Sequence, residues 1–295
     1  MSTETTTDSN PTTRDGQLTA ENRQLEVDGE TFMYRRFGND ETGAPPLLCL
    51  QHFRGNLDNW DPALVDRLAE NRVVILLDNR GVGSSTGRVP DNVPDMARDA
   101  LHFVDTLGLR QIDLLGFSLG GFVAQELVLV RPRLVRRLIL AGTAPQGAPR
   151  LHRMSDDVYA LATHDVLDPD RFIKLFFSGS AQSRAKAGEF LGRITARKVD
   201  RDEPTDIATR DAQLAAITRW GIPDPSKLAH LAAITQPTFV ANGDNDRWMI
   251  TENSYLLAHH LPGSELRIYA DSGHGFLDQY PELFADHVKS FLNGG

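Results

Sequence analysis

The residues Gly116-Phe117-Ser118-Leu119-Gly120-Gly121 follow an apolar run, QIDLL, and open an amphipathic one, LGGFVAQELVLV. A serine at a tight turn between strand and helix, flanked by glycines that keep neighbouring side chains clear, is the context of a nucleophile elbow. The chemistry this allows is attack on a carbonyl carbon. The backbone N–H of Leu119, at the positive end of the helix, would then face the oxyanion as it develops. A serine hydroxyl is a weak nucleophile until a base takes its proton. Of nine histidines, His274 is the one placed for this: it sits in the Gly-flanked loop Asp271-Ser272-Gly273-His274-Gly275-Phe276, between a strand pattern and a helix pattern. His102 and His287 fall inside element patterns, and His259-His260 are adjacent helical positions that point apart and make a poor metal pair. The base needs a carboxylate to fix its tautomer, and Asn242-Gly243-Asp244-Asn245-Asp246 offers two candidates, Asp244 and Asp246. The D-x-D spacing there lacks the glycine and distal glutamate of a calcium loop.

These segments need a scaffold. Arg23 to Val27 and Thr31 to Phe37 flank Asp28-Gly29, a hairpin signal. Pro46 to Gln51, Val73 to Leu77, Gln111 to Leu115, Leu134 to Ala141, Gln236 to Ala241 and Ser264 to Tyr269 read as strands, several of them apolar on both faces as in a covered parallel sheet. Helical patterns lie between them at Asp61 to Ala69, Val93 to Leu107, Leu119 to Val130, Thr251 to His260 and Pro281 to Leu292. The alternation predicts an α/β fold with a mostly parallel, doubly wound sheet led by an antiparallel hairpin. Strand patterns vanish between about Pro149 and Leu228, where helical segments take over. The expected organisation is a disordered tail over 1–20, a core over 21–148 and 229–295, and a helical cap inserted over 149–228.

On the elbow and its setting, the chain resembles the α/β-hydrolase fold family, in its lidded esterase, lactonase, C–C hydrolase and cofactor-free haloperoxidase branch. The resemblance runs from about Arg23 to the C-terminus, apart from the cap. It implies the chain order Ser, acid, His, and a histidine in the loop where His274 stands. The family pattern G-x-x-D selects Asp246, leaving Asp244 to shape the turn. The family's other acid position follows RRLILA, where Gly142-Thr143-Ala144-Pro145-Gln146 carries no carboxylate. Ser rather than Asp at 118 argues against haloalkane dehalogenases and epoxide hydrolases, which attack through a carboxylate. Related hydrolases carry His-Gly and a large residue after the strand corresponding to PPLLCL. Here Gln51-His52-Phe53-Arg54 stands there, a departure that makes Phe53 N–H the second oxyanion donor, or Arg54 N–H if the register shifts by one. Asp78-Asn79-Arg80-Gly81-Val82-Gly83-Ser84-Ser85 resembles the family's D-x-R-G-x-G-x-S loop, in which Arg80 and the glycines brace neighbouring loops. The cap would wall the acyl pocket with Tyr159, Phe172, Phe176, Phe177, Phe190 and Trp220, joined by Trp248.

Composition narrows the partners. Thirty-one Lys and Arg against 40 Asp and Glu leave a net charge of −9, which offers phosphate backbones and anionic lipid no attraction. Cys49 is the sole cysteine, so no intrachain disulfide or cysteine-based metal centre is available. No apolar stretch approaches the roughly 20 residues of a membrane span. The first twenty residues suit neither a secretory signal nor a transit peptide, which predicts a cytoplasmic location. No G-x-G-x-x-G opens a helix, so no dinucleotide cofactor is expected, and no metal. The expected function is a serine hydrolase of a small, largely apolar ester or lactone, working through Ser118, His274 and Asp246 without a cofactor. C–C bond hydrolysis, cofactor-free haloperoxidase or perhydrolase chemistry, and a ligand receptor on the same scaffold are the alternatives.

Overall fold

A computed structural model of the protein describes residues 16–294. Among them are eight strands: β1 (Arg23–Val27), β2 (Glu30–Gly38), β3 (Leu47–Leu50), β4 (Val73–Leu77), β5 (Ile112–Phe117), β6 (Val135–Ala141), β7 (Thr238–Gly243) and β8 (Ser264–Tyr269). The helices are α1 (Pro62–Ala69), α2 (Val93–Thr106), α3 (Leu119–Val130), α4 (Asp156–Ala162), α5 (Pro169–Phe176), α6 (Ala181–Ile194), α7 (Ile207–Trp220), α8 (Pro225–Leu228), α9 (Glu252–His260), α10 (Phe276–Gln279) and α11 (Pro281–Leu292).

The strands form one sheet in the order β1-β2-β4-β3-β5-β6-β7-β8. β1 pairs antiparallel with β2, and β2 with β4; every other pairing is parallel. The hairpin turns on Asp28 and Gly29, with φ of 53° and 82°, the left-handed pair that a two-residue turn needs. β3, β4 and β5 are buried along their whole length, as their unbroken apolar runs require when helices cover both faces. From β3 the chain moves one way to β4 and then back across to β5, so the winding direction reverses beside β3. In open α/β sheets such a switch point, at the carboxyl ends of the strands, is where ligands bind. The loops carrying Phe53, Ser118, Asp246 and His274 all leave the sheet at that edge.

At the opposite end Asp113, fully buried, accepts hydrogen bonds from Arg72 Nη1 at 2.7 Å and Arg136 Nη2 at 2.6 Å. That cluster anchors the sheet far from the chemistry. Between β6 and β7 the chain is helical, α4 to α8, without a strand. Side-chain caps from Asp168, Ser180 and Asp206 start α5, α6 and α7.

The tail expected over 1–20 includes residues that are packed against the core. Residues 1–15 lie outside the described residues, but Gln17 and Ala20 are buried. Their carbonyls accept from Arg197 Nη1 at 3.0 Å and Nη2 at 2.9 Å, and Gln17 Nε2 donates to Leu57 O at 2.6 Å. The polar composition hid this because the anchoring is by backbone carbonyls rather than by apolar side chains. His102 lies on α2, within the helix pattern read from the sequence, where it is half-exposed and paired with Asp28. No helix among the described residues is long and apolar enough to cross a membrane.

Candidate active site

β5 ends at Phe117, and Ser118 takes φ 56° and ψ −117° before α3 begins. A side chain in that region is strained by the order of 1–3 kcal/mol and persists only where the surroundings impose it. Here they do. Ser118 N–H donates to Ala141 O at 2.9 Å, and Ser118 O accepts from Gly121 N–H at 2.9 Å and Thr143 Oγ1 at 2.8 Å. The flanking glycines are a steric necessity: a Cβ at Gly116 would sit 2.4 Å from Gly120 O, and one at Gly120 would sit 2.1 Å from Leu50 O.

The loops after β7 and β8 meet beside it. His274 Nδ1 lies 2.7 Å from Asp246 Oδ2, with both side chains fully buried. An ionised carboxylate only accepts, so Nδ1 carries the hydrogen and Nε2 keeps a lone pair. Asp246 Oδ1 accepts from the N–H groups of Trp248 at 2.8 Å and Met249 at 2.9 Å, which fixes the carboxylate plane. Asp244 has the other job: its Oδ1 accepts Ser272 N–H at 3.1 Å and so ties the acid loop to the histidine loop. Asp271, at φ 49°, accepts from Ser178 Oγ at 3.0 Å and Ser180 Oγ at 2.7 Å, joining the histidine loop to the helical insertion. Ser118 Oγ and His274 Nε2 are both buried, and neither has a hydrogen-bond partner among the described residues. The serine–histidine bond is thus not closed here. In ligand-free sites such bonds are often long and tighten with substrate.

The loop after β3 distinguishes the two donor registers. Arg54 N–H is engaged, donating to Gln213 Oε1 at 2.7 Å. Phe53 N–H and Leu119 N–H have no acceptor among the hydrogen bonds of the described residues. His52 donates from Nδ1 to Phe53 O at 2.8 Å. Burial pulls the His52 pKa down to about 3, a shift opposed by that hydrogen bond and helped by His274. It is therefore a neutral spacer in this loop and brings no second positive charge near His274.

The structure sorts the aromatic residues that sequence left unassigned. Phe176 stacks on Phe172 with ring centres 4.0 Å apart, and lies 5.1 Å from the His274 ring and 4.9 Å from that of His52. Trp248 lies 5.3 Å from His274 and 5.4 Å from Phe53. Phe177 and Phe190 pack behind them, Trp220 stacks on Phe122, and Tyr159 is half-exposed. A cavity of about 540 Å³ opens beside Asp246, lined by Leu161, Ile173, Phe177 and Arg247. Another of about 360 Å³ reaches His52 and Phe172. Both lie where the insertion meets the core.

Sequence reasoning missed two polar contacts of the insertion: Gln213, and the pairing of Asp202 with Asp78. Gln213 stands on the buried face of α7 with Thr209, Ala216 and Ile217, and a lone amide on an apolar stripe was the available signal. Asp78 follows β4, is buried, and its carboxyl faces that of Asp202 in the insertion across Gly83, where a Cβ would sit 2.6 Å from Asp78 Oδ2 and 2.2 Å from Asp202 Oδ2. Two buried carboxyls held this close resist ionising together, which favours one of them keeping its proton. Burial, then the Asp202 contact, raises the Asp78 pKa well above the ordinary carboxylate range, against the pull of Arg35. The folded chain thus keeps a proton that the unfolded chain releases above about pH 4. Stability should fall as pH climbs from there until folded Asp78 ionises, by about 1.4 kcal/mol per pH unit. Asp78→Asn cannot ionise yet keeps a donor facing Asp202, so its stability advantage over wild type should grow from pH 4.5 to pH 8. Urea midpoints across that range check this, and an unchanged slope in the variant would refute the retained proton.

Residues 45–281 match the sequence profile of the alpha/beta hydrolase fold family. The chain belongs to the α/β-hydrolase family. Among curated relatives, a protein from Agrobacterium fabrum named RutD, a candidate carbamate hydrolase, is 27% identical over 258 residues, covering 86% of this chain and 95% of its own. A poly(3-hydroxyalkanoate) depolymerase from Ectopseudomonas oleovorans is 30% identical over 265 residues, covering 84% of each chain. Among solved structures, an α/β-hydrolase fold protein from Chitinophaga pinensis is 42% identical and superposes with a TM-score of 0.89, over 95% of this chain and all of that one.

Proposed function

We propose that this α/β hydrolase is a serine hydrolase that cleaves a carboxylic ester or lactone of a small, largely apolar molecule through an acyl-enzyme. The observation that carries the reading is a strained, buried Ser118 next to Phe117, whose ring stacks 5.1 Å from that of His274, together with the His274–Asp246 hydrogen bond of 2.7 Å. Strained backbone at a strand–helix turn persists where function needs the side chain presented.

In this reading Ser118 Oγ attacks the carbonyl carbon and its proton passes to His274 Nε2, while Asp246 holds the other ring hydrogen on Nδ1. The carbonyl oxygen takes up the negative charge and accepts from the N–H groups of Phe53 and Leu119, neither of which has an acceptor among the described residues. His274 returns the proton to the departing alkoxide oxygen. Water, deprotonated by the same imidazole, then attacks the acyl-serine and releases the acid.

The helices between β6 and β7 act as the cap. Phe172, Phe176 and Trp248 exclude water and favour apolar acyl groups. Two relatives support acyl chemistry: poly(3-hydroxyalkanoate) is joined by ester bonds, and a carbamate presents a similar carbonyl carbon.

The test is a fluorophosphonate probe with mass mapping of the adduct, alongside a panel of p-nitrophenyl esters, lactones and an aryl carbamate of increasing acyl length. The expected result is a single adduct on Ser118 and turnover that falls as the acyl group becomes charged. β-Diketone and peroxide assays run in parallel distinguish C–C hydrolysis and perhydrolysis. Absence of both adduct and ester or lactone turnover would overturn the reading.

A further inference from the structure

The loop 51–55 is held by a set of hydrogen bonds that leaves Phe53 N–H unengaged. His52 N–H donates to its neighbour Gln51 Oε1 at 2.9 Å, and His52 O accepts Gly55 N–H at 3.1 Å. Phe53 O accepts His52 Nδ1 at 2.8 Å, Arg54 N–H donates to Gln213 Oε1 at 2.7 Å, and Arg54 O accepts Thr205 Oγ1 at 3.0 Å. Phe53 N–H, on a fully buried residue, has no acceptor among the described residues. Its direction is set by the peptide planes on either side. The plane that follows, Phe53 C=O with Arg54 N–H, is held at both ends, and one end belongs to α7 of the insertion.

Arg54 itself sits at φ 61°, a conformation a non-glycine residue holds only under constraint. The constraint comes from the insertion on every side: Gln213 at its N–H, Thr205 at its C=O, and the carbonyls of His164 and Asp165, which accept from its guanidinium at 2.7 and 2.8 Å. Gln213 is itself buried, so its amide is positioned by packing and has little freedom to follow the loop if the loop moves.

We propose that Gln213 is a positioning residue for the oxyanion site: by accepting Arg54 N–H it aims Phe53 N–H at the reacting carbonyl oxygen, so the site is complete only when the insertion is seated. This rests on the serine-hydrolase reading above and adds that the cap arms the chemistry as well as covering it. Losing an oxyanion donor outright costs about 10²–10³ in kcat, and a donor left in place but free to turn costs less. Since the ground-state carbonyl gains little from that donor, KM should hardly move.

The full-length chain is compared as wild type, Gln213→Leu and Gln213→Glu, reading kcat and KM on the best ester of the panel, the rate of Ser118 phosphonylation, and the inhibition constant of a trifluoromethyl ketone. Gln213→Leu should lower kcat by about 10- to 100-fold with KM within about twofold. Phosphonylation and ketone affinity should fall by similar factors, since both form tetrahedral adducts. Gln213→Glu keeps an acceptor oxygen at the same reach and should recover to within about fivefold of wild type. A folded Gln213→Leu with unchanged kcat, a loss confined to KM, or a Gln213→Glu variant as impaired as Gln213→Leu would each overturn the proposal. Should Gln213→Leu fail to fold, Gln213→Asn, which withdraws the acceptor by one methylene, makes the same comparison. A wild type that neither labels nor turns over ester refutes the underlying reading; a labelled, active wild type indifferent to these substitutions refutes Gln213 alone.

Discussion

Ser118→Ala should lower ester turnover by about 10⁶-fold, leaving only the residual rate that bound substrate and oxyanion donors provide. The same variant should be slightly more stable than wild type. Ser118 Oγ is buried without a hydrogen-bond partner among the described residues, so its removal breaks no bond and relieves an unsatisfied polar group, worth about 1 kcal/mol. The backbone strain at φ 56° is unchanged, because alanine carries the same Cβ. Loss of activity with a raised denaturation midpoint cannot come from a damaged fold. Retained turnover would remove Ser118 from the mechanism.

Asp246→Asn is the second large effect, and its direction follows from which oxygen does what. Oδ1 is claimed by the N–H groups of Trp248 and Met249, so the asparagine must place its carbonyl oxygen there and its NH₂ where Oδ2 stood. That NH₂ then faces His274 Nδ1 across 2.7 Å. Two hydrogens cannot share the gap, so the ring proton moves to Nε2 and the lone pair that should receive the Ser118 proton is lost. A wrong tautomer of this kind costs about 10⁴ in kcat. Packing is preserved, so the thermal midpoint should move little. A loss below about tenfold, with the fold intact, would mean that Asp246 does not govern the tautomer.

Much of this could be read in the chain because the signals are local. β3, β4 and β5 coincide with apolar runs, the other strands overlap the shorter segments that the sequence marked as strands, and α3 and α11 begin and end where the sequence placed them. The elbow was legible since strand, glycine-flanked serine and helix are contiguous. What escaped depends on convergence across distance. Phe172 and Phe176 are indistinguishable in the sequence from Phe190 as apolar positions in helices between β6 and β7; only the seating of α5 decides that the first two meet His52 and that Phe176 also meets His274. The partnership of Asp78 with Asp202 spans more than a hundred residues, and a carboxyl in a polar-looking segment gives no hint that it is buried against another. The short α8 and α10 are single turns with too few residues to establish a period.

One contact ties these observations together. The carbonyl of Phe176, at the end of α5, accepts Gly275 N–H at 2.6 Å, immediately beside His274. In the serine-hydrolase reading proposed above, the residue that covers the site is thus tethered to the backbone that carries the base, so a displacement of α5 would also cost the contact that holds the peptide next to the imidazole.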